Sequence, residues 1–257
     1  MKKTMIVLFG AVTIMAQAQE QKTLRVGIYL GNAGNKSHLS GGSSNANARF
    51  EKEEWGSGAI GINGRYDFDR RWMITGGIGV QSIGFGYSIA QNYSLLKPDS
   101  RNKSIKSDFG VIEMPTMVFY KFNPNCKNAK WLVGAGFSEN LVGAQTINRS
   151  LSEVGDGGSS TDYISSTSST KGGIYWNFRW SVAKEKTFKN NSILNAAVLF
   201  NVGMNQVATS TVNYTIDNQT YTHEFSNKGS FVGLRLTYFF KPMNSLEKAA
   251  KAAKSVK

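Results

Sequence analysis

The side chains best placed to do chemistry together are Arg25, Arg65, Asp67, Glu113, Lys121, Arg179 and Arg235. Each falls on one face of a segment whose residues alternate with a period of two, the period of a β-strand. Asn63, Gln81, Asn177, Asn195 and Asn201 share that face. Charged groups enclosed with little water must pair with one another. Glu113 is the sole acidic residue expected inside a strand centre, so it is expected to bond one of the arginines. Two uses follow: a salt-bridged plug that closes an internal channel, or a narrow, anion-preferring path lined by arginines. Eight strands enclose a space about filled by side chains, which favours the plug.

Other chemistries find little support. The chain has two histidines, His38 and His223, both expected on outer loops. His223 stands beside Glu224 and Ser226, a hydrolase-like trio, but such neighbours are common in polar loops, and a catalytic site must be argued from geometry. No metal-ligand spacing and no phosphate-cradling glycine loop occurs, so neither cofactor nor metal is expected. The single cysteine, Cys126, excludes an internal disulfide framework. The reading is therefore non-enzymatic.

Eight segments must position the charged set. Leu24, Val26, Ile28 and Leu30 oppose Arg25, Gly27 and Tyr29. Ile60, Ile62, Tyr66 and Phe68 oppose Ala59, Asn63, Arg65 and Asp67. Trp72, Ile74, Ile78 and Val80 oppose Thr75, Gly77, Gly79 and Gln81. Ile112, Met114, Val118 and Tyr120 oppose Glu113, Pro115 and Lys121, with Pro115 expected to mark a bulge that aims Glu113 inward. Trp131, Val133, Ala135 and Phe137 form the fifth outward face, and a bulge is expected at Ser138–Glu139. Ile174, Trp176, Phe178, Trp180 and Val182 oppose Tyr175, Asn177, Arg179 and Ser181. Leu194, Ala196, Val198, Phe200 and Val202 alternate with Asn195, Ala197 and Asn201. Leu234, Leu236, Tyr238 and Phe240 oppose Arg235 and Thr237.

The expected fold is all-β: an eight-stranded antiparallel up-and-down transmembrane β-barrel with a short C-terminal tail. A soluble barrel with the apolar set inside would show the same alternation. The indole-rich stripe of segment six, the closing aromatic Phe240 and the spacing of connections favour lipid outside. Residues 32–53, 90–107, 147–171 and 211–227 read as long polar loops. Asp67–Arg71, Asn123–Asn128 and Lys184–Asn191 read as short turns. Long outer loops with short periplasmic turns are the habit of outer-membrane barrels, with both chain ends in the periplasm. Trp55, Trp72, Trp131 and Phe68 lie near strand ends, where aromatic girdles belong.

Lys2 and Lys3, the apolar run Met5–Met15 and Ala16-Gln17-Ala18 read as a signal peptide over residues 1–18. The barrel domain is expected over 19–242 and a Lys/Ala-rich periplasmic tail over 243–257, where Ser245 could cap a short helix. The mean hydropathy of −0.29 suits a barrel in which only alternate strand residues face lipid. The 30 basic residues less Lys2 and Lys3 leave 28 against 17 acidic ones, a net +11. The excess falls on the periplasmic rim and tail rather than on the outer loops. It suits snorkelling at inner-leaflet headgroups or an acidic periplasmic partner. Nucleic acid is excluded by the compartment despite a pI near 9.7.

The C-terminal pattern Leu234-Arg235-Leu236-Thr237-Tyr238-Phe239-Phe240 resembles the assembly signal of bacterial outer-membrane barrels. Val111-Ile112-Glu113-Met114-Pro115, continuing to Val118-Phe119-Tyr120-Lys121-Phe122 and then Trp131-Leu132-Val133-Gly134-Ala135-Gly136, resembles the PorT-like outer-membrane β-barrel family. The resemblance implies an eight-stranded barrel in the outer membrane, and one branch of that family serves a protein secretion system. The partners expected are outer-membrane lipid and envelope or secretion-system proteins, around a monomer. The remaining reading is a narrow small-solute pore.

Overall fold

The computed structural model describes residues 23–42, 48–52, 55–91, 103–122, 129–152, 163–216 and 219–242. Its side chains are described over 23–34, 57–85, 106–122, 129–150, 165–213 and 220–242. The expected signal peptide, Cys126 with its turn, and the C-terminal tail lie outside the described residues.

Strands β1 (Thr23–Gly42), β2 (Ala48–Lys52), β3 (Trp55–Asp67), β4 (Trp72–Gln91), β5 (Lys103–Phe122), β6 (Lys130–Ser152), β7 (Tyr163–Thr187), β8 (Ile193–Gly203), β9 (Ala208–Ile216) and β10 (Gln219–Phe239) form one antiparallel sheet. The sheet closes on itself because β1 pairs with β10, from Gly27 against Phe239 to Asn35 against Phe231. β8 and β9 both lie between β7 and β10 and count as one interrupted stave. β2 and β3 both pair with β4 and form another. The barrel therefore has eight staves. Where every stave is paired on both sides, from the turn end up to about Val111 and Val142, closure leaves no free edge, which is what lets a β-structure sit in hydrocarbon.

The two faces separate as lipid requires. Leu234, Leu30 and Ile60 are 66%, 60% and 59% exposed on the outside, whereas Tyr29 is 1% and Glu113 and Arg179 are 0% exposed inside. A soluble barrel would reverse this arrangement, so the outward apolar belt decides for a membrane-spanning barrel. Outward rings cluster at the end where the short turns lie: Trp72 against Tyr120 at 5.0 Å, Tyr120 against Phe122 at 5.0 Å, and Tyr238 against Phe240 at 5.4 Å. Lys184 holds its ammonium over the Trp131 ring there, 5.7 Å from the centroid. Tyr66 and Phe68 stack edge-to-face at the same end. The Trp55 side chain lies outside the described residues.

Two local expectations are corrected. Pro115 causes no bulge: Gly76 faces Thr116 and Gly79 faces Glu113 in one unbroken register. The ladder to β4 omits the two pairs opposite Met114 and Pro115, so the missing proline N–H is accommodated by a skipped bridge. Ser138–Glu139 keeps register with both neighbours as well, and Glu139 stands on the outward face between Phe137 and Leu141. The irregularities fall instead in β1, between Asn35 and Ser37 and between Leu39 and Gly41. Opposite them, Gly229 takes a φ of 73°, and its N–H donates to Asn227 Oδ1 at 2.7 Å.

Much of what reads as loop is also strand. β1 reaches Gly42, β4 reaches Gln91, and the β6–β7 hairpin runs to Ser152 and Tyr163. These extensions stand beyond the lipid belt, where both faces can be polar, so no apolar alternation announces them. Ser168 and Ser210 instead meet hydroxyl to hydroxyl at 2.8 Å inside the extension.

Candidate functional site

The interior is layered, and glycines set the first layer. Tyr29, Gly61, Gly79 and Glu113 face one another in a single row across β1, β3, β4 and β5. With no side chains at 61 and 79, the Tyr29 ring lies flat across both positions. A Cβ on Gly79 would fall on its hydroxyl. The phenol thus reaches Glu113 and donates to Oε1 at 2.6 Å. Arg235 Nη2 donates to the same oxygen at 2.5 Å, and Arg179 Nη2 donates to Oε2 at 2.9 Å. Arg179 Nε donates to Asn201 Oδ1 at 3.1 Å, and Asn201 Nδ2 donates to the Gly229 carbonyl at 2.8 Å. The Arg235 guanidinium lies 4.1 Å from the Tyr29 ring centroid, and that of Arg179 lies 5.6 Å from Phe231. One carboxylate is shared by two buried guanidiniums, so this tier carries a charge of +1.

A second tier sits toward the turn end. Arg65 Nη2 donates to Asp67 Oδ1 at 2.9 Å, two residues along the same strand face, and Arg65 Nη1 is ion-paired with Glu185. Lys121 Nζ reaches Asp67 Oδ1 at 2.5 Å, and Thr23 Oγ1 donates to Asp67 Oδ2 at 3.0 Å. Two cations and two carboxylates leave this tier neutral. Arg25 stands at its edge, half-buried, and Nη1 donates to the Asn191 carbonyl at 2.5 Å instead of to a carboxylate. Asn191 supplies that carbonyl from the turn between β7 and β8, where its φ is 64°.

The structure brings together six of the seven charged residues singled out above, in two groups rather than one. Glu185 is the member the sequence reading missed. Lys184–Asn191 reads as a turn, but β7 runs on to Thr187 and Glu185 continues the inward parity of Arg179, Ser181 and Ala183.

Apolar layers complete the filling. Met73, Met117, Phe119, Leu132, Leu199 and Phe231 pack in one buried cluster. Ile83, Phe85, Phe109, Val111, Val142, Val212 and Phe225 pack in another toward the extended end. A cavity of about 30 Å³ lies beside Arg235, walled by Asn63, Thr75 and Ser181 together with apolar Met73, Met117 and Phe119, with room for about two waters. Among the described residues no group of three metal-ligating side chains gathers. His223 points inward and is buried, while Glu224 on the same strand points outward and is exposed. Adjacent strand residues face opposite sides, so these two do not form the acid–histidine couple of a hydrolase. The His38 side chain lies outside the described residues.

No family model matches the chain, and no curated relative matches it. Solved structures with a similar arrangement include the outer membrane protein OprG from Pseudomonas aeruginosa, at 10% identity and a TM-score of 0.42, over 86% of this chain and 95% of that one. The N-terminal β-barrel domain of Pseudomonas aeruginosa OprF is 9% identical with a TM-score of 0.36, over 86% of this chain and 100% of that one. Ail, the attachment invasion locus protein of Yersinia pestis, is 11% identical with a TM-score of 0.32, over 84% and 99%. At these scores the likeness adds nothing to the argument, and the assignment to membrane-spanning β-barrels stands on the closed ladder and its two faces.

Proposed function

We propose that this chain is a non-enzymatic outer-membrane β-barrel with a plugged lumen, serving a structural or interaction role through its extended end or its turn-side rim. The observation that carries the reading is the interior itself. Among the described residues, two ion-paired tiers and two apolar clusters occupy the bore, and the cavity beside Arg235 has room for about two waters. A filled bore leaves the outer surface and the rims as the parts able to act on anything else. The short turns and both chain ends belong in the periplasm on this reading, with outer-membrane lipid around a monomer. A role in protein secretion is the second reading. It is favoured by the PorT-like run from Val111 to Gly136, which folds as the β5–β6 hairpin and carries Glu113.

Topology is tested through Cys126, the chain's single thiol. A membrane-impermeant maleimide should leave it unlabelled in intact cells and label it once the outer membrane is permeabilised. A cysteine introduced by Ser159→Cys, in a Cys126→Ser background, should label in intact cells. Labelling of Cys126 in intact cells would invert the orientation. Cross-linking in whole cells before solubilisation should then capture envelope proteins through the rim if the secretion reading holds.

A further inference from the structure

The geometry points to a monovalent anion, a halide, bound inside the barrel in the cavity between the two charged tiers. Arg235, Asn63, Ser181, Thr75, Asn195 and Thr237 contribute polar groups to its wall. Three of these residues are at least nine-tenths buried and carry atoms with no hydrogen-bond partner: Arg235 Nε, Ser181 Oγ and Asn63 Oδ1. A buried polar group left unpaired costs about 1–3 kcal/mol, and more when charged. Two of them, Arg235 Nε–H and the Ser181 hydroxyl, call for an occupant that accepts hydrogen bonds, whereas the Asn63 oxygen as placed is itself an acceptor. The Asn63 amide can turn to present its NH₂, since its oxygen and nitrogen are interchangeable in outline.

Charge selects an anion over water. The Glu113 tier holds Arg179 and Arg235 against a single carboxylate, and the Arg65 tier is already neutral. One positive charge is thus uncompensated in a closed, low-dielectric interior. Arg235, the cation lining the cavity, is one of the two that share Glu113. Hydroxyls of Thr75, Ser181 and Thr237 and the Arg235 Nε–H are all donors suited to a spherical anion. A cavity of about 30 Å³ admits a halide or about two waters. A bound halide would complete the charge balance of the plug and hold the two tiers together.

The inference goes beyond the plugged-barrel reading but takes the lumen as closed. Steady conductance of the wild type would defeat that reading, whereas a closed barrel without halide would defeat only the inference. The test uses the detergent-solubilised full barrel in two arms. Crystals grown in bromide should show an anomalous peak within hydrogen-bonding reach of Arg235 Nε. A bromide-free cavity holding water alone would overturn the site. Separately, the temperature at which the folded barrel is lost should rise with chloride or bromide over gluconate at matched ionic strength, as for any ligand that binds only the folded state. Ser181→Val, which fills part of the cavity and removes one donor, should abolish that halide-dependent rise. Equal midpoints in chloride and gluconate, or a rise retained in full by Ser181→Val, would contradict the proposal.

Discussion

Replacing Glu113 by alanine should cost the barrel about 3–5 kcal/mol, the range for removing one partner of a buried ion pair. The carboxylate is completely buried and receives Tyr29, Arg179 and Arg235. Without it, two guanidiniums remain in the bore with no counter-charge, and the Tyr29 hydroxyl loses its acceptor. The expected readout is heat modifiability. The wild-type barrel should migrate faster unboiled than boiled on a denaturing gel, and Glu113→Ala should lose the fast band at a clearly lower temperature. Glu113→Gln keeps an acceptor for Tyr29 but removes the charge, and should fall between the two. A Glu113→Ala barrel as heat-resistant as the wild type would show that the shared carboxylate does not hold the tier together.

Arg65→Met should be comparably damaging, again about 3–5 kcal/mol, through charge of the opposite sign. Arg65 is the common partner of Asp67 and Glu185. Its loss leaves two buried carboxylates with Lys121 on Asp67 and the half-buried Arg25 at the edge as the remaining cations. Because the harm comes from stranded charge, a second change should undo part of it. Arg65→Met combined with Glu185→Met replaces the pair by apolar side chains of similar length and should be more stable than Arg65→Met alone. Measured as a double-mutant cycle, the two changes should be strongly non-additive. Simple additivity would mean that the Arg65–Glu185 contact contributes little. Arg25→Ala is the control: it removes a bond to a turn carbonyl from a half-buried position, and should cost far less.

Most of the outward belt was legible in the sequence, because hydrocarbon favours apolar side chains there and imposes a period of two on every stave, although outward Glu139 hid the continuation to Leu141. Ile60 and Ile62, or Trp176, Phe178 and Trp180, could be placed from alternation alone. The inward charges were legible for the same reason, as interruptions on the opposite parity. What alternation hides is the apolar part of the interior. In β5, Val111, Met117 and Phe119 point inward beside Ile112, Val118 and Tyr120, which are outward and apolar as well, so the contrast that marks a face weakens. The strand extensions were hidden differently. Above the belt the outer face is polar too, and the serines of Tyr163–Thr170 read as loop although Ser166, Ser168 and Thr170 are buried in the bore. The roles of Gly61 and Gly79 follow only from register. Nothing local says that their missing side chains make room for a tyrosine on another strand.

On the proposed function the lumen is closed by its own side chains, and conductance tests that closure most directly. Purified wild-type barrel reconstituted into a planar lipid bilayer should give no steady single-channel conductance, even at high salt. A stable, anion-selective open level in the wild type would contradict the plug, and would make the arginines the lining of a pore.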